Sequence, residues 1–344
     1  MNRRQFIATT AAGSLKAMDA RPPSNVKLGI DLFSLRSQKW TPIQFLEYCA
    51  AQKVQVVHFS EIRFLGSLNP ENLSAVRKRA ERLGLEVEIG TKSICPTSKM
   101  FDGTAGTAEE QLIKMMEAAN LVGSPIVRAV LGSADDRIPG PIEARIEDTV
   151  RVLRNVRSQA ADHKIKIAIE NHAGDMQARE LKMLVEEAGP DFVGVCLDSG
   201  NPLWTIEDPH LTLETLHQYV LTSHLRDSAV WKMPQGAAVT WVPMGRGNVD
   251  IDSYVRKYIE LCPGRPLSLE SIVFGPRVLA YNDHAFWKAY PNTPAREFQR
   301  FLALAERGQP YPAEPWKTPD EGTRERKALE ESLAYTKRLV NSTS

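Results

Sequence analysis

Eight short β-rich runs alternate with amphipathic stretches along most of this 344-residue chain, and that alternation limits the possible folds more than any other feature. The runs are Val26–Asp31, Val54–Ser60, Glu86–Gly90, Ile126–Val130, Ile165–Glu170, Val193–Asp198, Val220–Leu225 and Leu267–Ser271. Helical patterns stand between them at Pro42–Gln52, Glu71–Leu83, Ala108–Val122, Ile142–His163, Gln177–Ala188, Leu213–His217 and Ile251–Leu261. A helix that separates two strands returns the chain to the same end of the sheet, so the strands pair in parallel. Runs such as I-K-I-A-I-E and F-V-G-V-C-L-D are apolar enough to lie behind helices on both faces. A closed (β/α)8 TIM barrel is the simplest solution, and one of this length is ordinary. A doubly wound open sheet is the runner-up, but L-G-I-D-L-F-S-L stands where its glycine-rich phosphate loop would follow the first strand. The barrel is assigned to residues 21–308, with Ala295–Arg307 expected to close it. The C-terminal extension, 309–344, reads as a Pro-rich arm, Pro310–Pro319, and an amphipathic helix, Arg324–Val340, packed on the outside.

The first twenty residues are excluded from the fold. Arg3 and Arg4, then Phe6-Ile7 and a mildly apolar stretch from Ala8 to Leu15, resemble a twin-arginine export signal, although Met18-Asp19-Ala20 is a poor cleavage site. This resemblance implies a periplasmic protein that folds before export. If the stretch is only an unprocessed N-terminus, the alternative location is the cytoplasm.

Composition narrows the partners. Lys and Arg number 43 against 42 Asp and Glu, a net charge of +1, which offers no bulk positive field for nucleic acid. No run reaches the ~18 apolar residues of a membrane span. The cysteines at 49, 95, 196 and 262 are too dispersed for a zinc knuckle or a redox dithiol and read as small buried hydrophobes. A small-molecule ligand is expected, with a homo-oligomer left open.

Chemistry gathers where the last four strands end. Glu170 closes I-A-I-E, Asp198 closes V-C-L-D, His224 lies in S-H-L, and Glu270 closes L-S-L-E. Strand C-termini form the active face of such a barrel, so these four groups face one mouth. Carboxylates out of water need a counter-charge, and three with one imidazole attract a divalent ion: Mn, Mg or Co by the oxygen ligation, with Zn permitted by the histidine. Taken singly, each residue is as well explained by a cap or a satisfied polar contact; four at successive strand ends are not.

The segments A-I-E-N-H, V-C-L-D-S-G-N, S-H-L-R-D, V-P-M-G-R-G-N-V-D and L-S-L-E-S resemble the sugar phosphate isomerase/epimerase superfamily, the xylose isomerase-like TIM barrels, over roughly Val26 to Phe274. The resemblance implies one divalent metal, most commonly manganese, on Glu170, Asp198, His224 and Glu270, with Glu170 and Glu270 also acting as catalytic acid and base. Such a metal, holding a carbonyl and an adjacent hydroxyl, would acidify the C–H between them and stabilise an enediolate.

Neighbouring residues are the substrate-binding candidates. His172 shares Glu170's face, and Arg226 shares that of His224. Arg246 lies in a glycine turn. Cys196 sits one layer below Asp198 and belongs to the packing. The resemblance also exposes departures: ketose epimerases of the superfamily carry a His where this chain has Asn201, and an Arg where it has Val230, with Lys232 nearby. Trp204, Trp231 and Trp241 are assigned to loops where they could stack on a sugar or simply pack. The aromatic stretch 278–291 is placed as a cover over the mouth, and His58 and Glu61 are weaker candidates.

A metal-dependent sugar isomerase or epimerase is the expected activity. A lyase, dehydratase or hydrolase of an oxidised sugar or 3-keto-glycoside is the alternative, since the same proton removal can expel a β-substituent. A non-catalytic carbohydrate-binding barrel gives the glutamate pair no purpose, and a nuclease of this fold would want more metal ligands and a basic face.

Overall fold

The computed structural model describes residues 26–312 and 319–342. The twin-arginine stretch, and positions 313–318 of the Pro-rich arm, lie outside them. In chain order the elements are β1 Leu28–Asp31, α1 Pro42–Ala51, β2 Val56–Phe59, α2 Ile62–Leu65, α3 Pro70–Leu83, β3 Glu86–Ser93, α4 Ala108–Val122, β4 Ile126–Val130, α5 Ile142–Asn155, α6 Arg157–His163 and β5 Lys166–Glu170. There follow α7 Ala178–Ala188, β6 Val193–Asp198, α8 Pro209–Leu216, β7 Val220–His224, β8 Asp227–Met233, β9 Gly236–Val242, α9 Ile251–Leu261, β10 Leu267–Leu269, β11 Phe274–Leu279, α10 Ala295–Arg307 and α11 Glu321–Ser342.

Eight strands pair in parallel in the order β10-β1-β2-β3-β4-β5-β6-β7. The ring closes through the bridge Leu225↔Leu269, with Leu225 N donating to Ser268 O at 2.7 Å and Glu270 N to Leu225 O at 3.0 Å. This is the expected α/β barrel. Helix ends follow local chemistry: Thr41 and Gln44 form a capping box ahead of α1, Thr107 and Glu110 another ahead of α4. Gly84 and Gly123 end α3 and α4 at φ of 68° and 83°, a region where a Cβ is costly. The single helix expected over Ile142–His163 is two, α5 and α6, broken at Val156 where φ is −102° and ψ is 9°.

Two features depart from expectation. First, residues 227–242 and 274–279 form a three-stranded antiparallel sheet, β11-β9-β8, so Trp231 and Trp241 lie on strands and not in loops. Second, α10 does not close the barrel. Its apolar face, with Phe301, Leu304 and Ala305 buried, packs into the cluster that also holds Val230, Val239 and Trp241 of the small sheet. The position between α9 and α1 is taken by α11. Leu329 and Leu333 enter the main core, Tyr48 of α1 donates to Glu330 at 2.9 Å, and Tyr335 donates to Asp252 of α9 at 2.5 Å. Both helices are amphipathic, and periodicity says only that each has something to bury, not what.

Candidate metal centre and the cavity above it

Strand register brings the four ligand candidates together. Asp198 and His224 are direct partners across β6 and β7, and Glu170 lies opposite Cys196, two residues before Asp198 on β6. The Asn171 amide ties the ends of β5 and β6, donating to Asp198 O and accepting from Asp198 N, both at 2.9 Å. Ser199 does the same for β6 and β7 through Arg226 O and N. The ligand atoms offered by Glu170, Asp198, His224 and Glu270 all lie within 4.8 Å of one another, and all four residues are buried.

The chemistry of this set fits a divalent cation. Asp198 Oδ2 and Glu270 Oε2 are buried and share a single guanidinium nitrogen, Arg226 Nη2, although buried carboxylate oxygens demand fuller compensation. His224 Nδ1 lies 3.0 Å from Glu170 Oε2 and 3.2 Å from Glu270 Oε2, so three donors aim at one point. The other nitrogen, Nε2, is engaged by His58 Nδ1 at 3.0 Å and faces Asp31 Oδ2 at 3.6 Å, which fixes the ring. His58 is thus beneath the site and not in the cavity, and Glu61 is at the cavity's rim.

Charge is balanced by two guanidiniums. Arg128, on β4, reaches Glu170 Oε2 with Nε at 2.6 Å and Nη2 at 2.5 Å while Nη1 donates to Thr91 O at 3.0 Å. Burial alone would push the Glu170 carboxyl up, but Arg128 and His224 outweigh it and hold Glu170 well below the ordinary glutamate range. Burial raises Asp198, against the pull of Arg226. Burial likewise works against a charge on His224, yet Cys196, Glu170 and Asp31 together draw its proton affinity well above the histidine norm. Arg226 Nη2 stands 2.6 Å from Asp198 Oδ2 and also touches Glu270 Oε2.

Over this floor opens a cavity of about 640 Å³ whose walls include Arg226, His172, Asn201, Trp204 and Trp241. His172 is held by a 2.7 Å bond between its Nδ1 and Gly132 O, and burial pushes it down to about 4, so the ring is neutral. Asn201 Nδ2 donates to Glu170 Oε1 at 3.2 Å. Trp204 and Trp241 stack at 4.3 Å with planes 10° apart. Not every candidate arrives here. Arg246 is exposed on the turn after β9 and Lys232 near the end of β8, and neither lines the cavity. Trp231 packs with Ala229, Ala238 and Val242 in a separate cluster. The 278–291 stretch contributes no residue to the cavity lining: Tyr290 is buried, with the Arg137 guanidinium 4.3 Å from its ring, and Phe274, which precedes the stretch, lines the cavity instead.

Arg128, Lys92 and Phe274 are site residues that the sequence reading did not single out. The available signal for Arg128 was its place inside I-V-R-A-V, a charge in a strand otherwise fit only for burial.

A parallel eight-stranded barrel with one acidic-plus-imidazole cluster at the strand ends defines a class, and the comparison by sequence agrees. The pattern of the xylose isomerase-like TIM barrel family matches residues 43–290, and the chain belongs to that family. Among individual relatives, the chain is 23% identical over 210 residues to 3-oxo-isoapionate decarboxylase of Pectobacterium atrosepticum, covering 60% of this chain and 69% of that one. It is similar in structure to an L-ribulose 3-epimerase, with a TM-score of 0.61 and 14% identity over 92% of this chain and 95% of the other. A 3-keto-D-glucoside 4-epimerase from E. coli gives a TM-score of 0.55 with 13% identity, over 81% and 98%. At such identities the structural likenesses speak for the fold alone.

Proposed function

We propose that the chain is a divalent-metal-dependent sugar isomerase or epimerase that moves a proton at the carbon beside a carbonyl. The observation that carries this reading is the convergence of four buried ligand groups, three carboxylates and an imidazole, whose ligand atoms all lie within 4.8 Å of one another. A divalent ion held by Glu170, Asp198, His224 and Glu270 would supply Lewis acidity to a carbonyl and its neighbouring hydroxyl. Manganese suits the three oxygen ligands best, with Mg, Co or Zn as alternatives.

The protein's own groups then handle the proton. Glu170, kept ionised by Arg128, takes it from the C–H, and the electron pair moves toward the carbonyl oxygen. Glu270, arriving from another strand, returns a proton. Delivery to the opposite face of the same carbon inverts it, whereas delivery to the neighbouring carbon moves the carbonyl. The neutral His172 and Asn201, both on the cavity wall, orient hydroxyls.

A second reading, a lyase or decarboxylase of an oxidised sugar, is supported by the similarity to 3-oxo-isoapionate decarboxylase. It would share the metal and the glutamates, but in elimination the pair left by the α-proton expels a β-substituent, and in decarboxylation the pair of the broken C–C bond stays on the carbon, which takes up a proton as carbon dioxide leaves. Incubating the manganese-loaded protein with keto-sugars in deuterium oxide separates the two. Deuterium at the α-carbon of recovered sugar is the result expected, whereas an unsaturated product or released carbon dioxide favours the lyase. Glu270→Gln should cut turnover by roughly 10²–10⁴-fold and weaken manganese binding. Unchanged turnover, or native protein without a stoichiometric divalent ion, would refute the assignment.

A further inference from the structure

Arg226 is 3% exposed and lines the cavity, yet its Nε and Nη1 have no hydrogen-bond partner. Only Nη2 is engaged, by Asp198 and Glu270. The group is nonetheless fixed. Its Cζ lies 4.3 Å from the centre of the Trp241 ring, Trp241 stacks on Trp204, and the Arg277 guanidinium lies 4.7 Å from Trp204 on the far side of the pair. Gly200 makes room for it: a Cβ there would stand 2.5 Å from Arg226 Cδ and 3.0 Å from Trp241 Nε1. Two further N–H donors at the same wall, Trp241 Nε1 and Trp204 Nε1, are also buried and unanswered. So many unmet donors in one enclosed place are expensive unless a ligand supplies acceptor oxygens.

Charge selects among acceptor-bearing ligands. Three carboxylates, Glu170, Asp198 and Glu270, face two guanidiniums, Arg128 and Arg226. A divalent ion on the quartet would offset those carboxylates and leave the Arg226 charge in need of another partner, while Lys92 and Glu61 add one group of each sign at the cavity wall. An anion would give the buried Arg226 guanidinium both acceptors and a counter-charge, whereas a neutral sugar would give it acceptors alone. A guanidinium stacked on an indole is the form in which proteins bind carboxylates, because its donors are planar, fixed and weakly hydrated.

We infer that the substrate is a sugar acid whose carboxylate is bound by Arg226 on the Trp241 face. This rests on the metal-dependent reading of the same site and names the chemical class that the site selects. The test is calorimetric binding to the full-length, manganese-loaded protein of two matched pairs: 2-keto-D-gluconate with D-fructose, and D-glucuronate with D-glucose. At least one acid should bind tenfold or more tightly than its neutral counterpart. Arg226→Gln should abolish that preference, Arg226→Lys should reduce it, and Trp241→Phe, which deletes only the indole N–H and part of the ring, should lower it several-fold. The lysine and phenylalanine variants keep the test decisive should Arg226→Gln fail to fold. Equal or tighter binding of the neutral sugars, no binding of either acid, or a preference that survives in the Arg226 variants would overturn the inference. Manganese content and solvent deuterium exchange are measured in the same samples. Exchange into the neutral ketose without an acid preference refutes the sugar-acid inference and leaves the proton-transfer reading standing, whereas absence of bound manganese refutes that reading itself.

Discussion

Replacing Arg128 by Met keeps the length of the stem and deletes its charge, which isolates the support given to Glu170. The two Arg128 nitrogens reach Glu170 Oε2 at 2.6 and 2.5 Å, and both residues are buried, at 7% and 0% exposure. Opposite charges ~4 Å apart in a medium of effective dielectric ~20 attract by about 4 kcal/mol. That agrees with the roughly 3–5 kcal/mol lost when one member of a buried pair is removed and its partner stays behind. Urea unfolding of chelator-treated protein at neutral pH should show a loss of that size. The carboxylate left behind carries the cost, so removing it as well should return part of the loss: Arg128→Met/Glu170→Gln should be more stable than the sum of the single variants by about 1–3 kcal/mol. A loss below about 1 kcal/mol for Arg128→Met, or simple additivity in the double variant, would mean that Glu170 does not depend on Arg128 for its charge.

Two other outcomes follow from residues remote from the cavity. Glu207 is 2% exposed, accepts from Ala178 N and Thr212 Oγ1, and is driven by burial up to about 7 from 4.5. An acid whose folded pKa is raised holds its proton more tightly when folded, so its contribution is full below pH 4.5 and is lost as pH rises toward 7. Wild-type stability measured against Glu207→Gln should therefore decline by about 3 kcal/mol across that window, and a constant difference would contradict it. Leu333 of α11 is 1% exposed in the main core, and Leu333→Ala should cost about 2–5 kcal/mol in thermal or urea unfolding; a loss under about 1 kcal/mol would show that α11 is not part of the barrel wall.

The barrel and the clustering of four candidate ligands at its strand ends were legible because each rests on a repeated local rule. Alternating strands and helices force parallel pairing, and a polar residue ending an apolar strand such as I-A-I-E or V-C-L-D must face the mouth. The small sheet was hidden by that success. With eight strands already assigned, W-K-M-P-Q-G-A-A-V-T-W-V read as loop, although its P-Q-G lies between two apolar arms as in a hairpin. Arg128 was missed because spacing along the chain does not reveal a partner 42 residues away. Lys232 and Arg246 are candidates by proximity in sequence to the strand ends, but both are exposed and neither lines the cavity. The exchange of α10 and α11 shows the same limit: amphipathic helices announce a need for a partner surface, and only the assembled molecule says which.

The return of α11 to the gap between α9 and α1 has an evolutionary corollary. Residues 272–312 are an excursion that leaves the ring after its eighth stave, and α11 then packs beside that same stave, where Ser332 lies 3.4 Å from Ser271. Insertions, deletions and wholesale replacement within such a detour need not disturb the wall that holds the ligand quartet. Variation there can reshape the surroundings of the cavity while the candidate metal centre at its floor is left untouched.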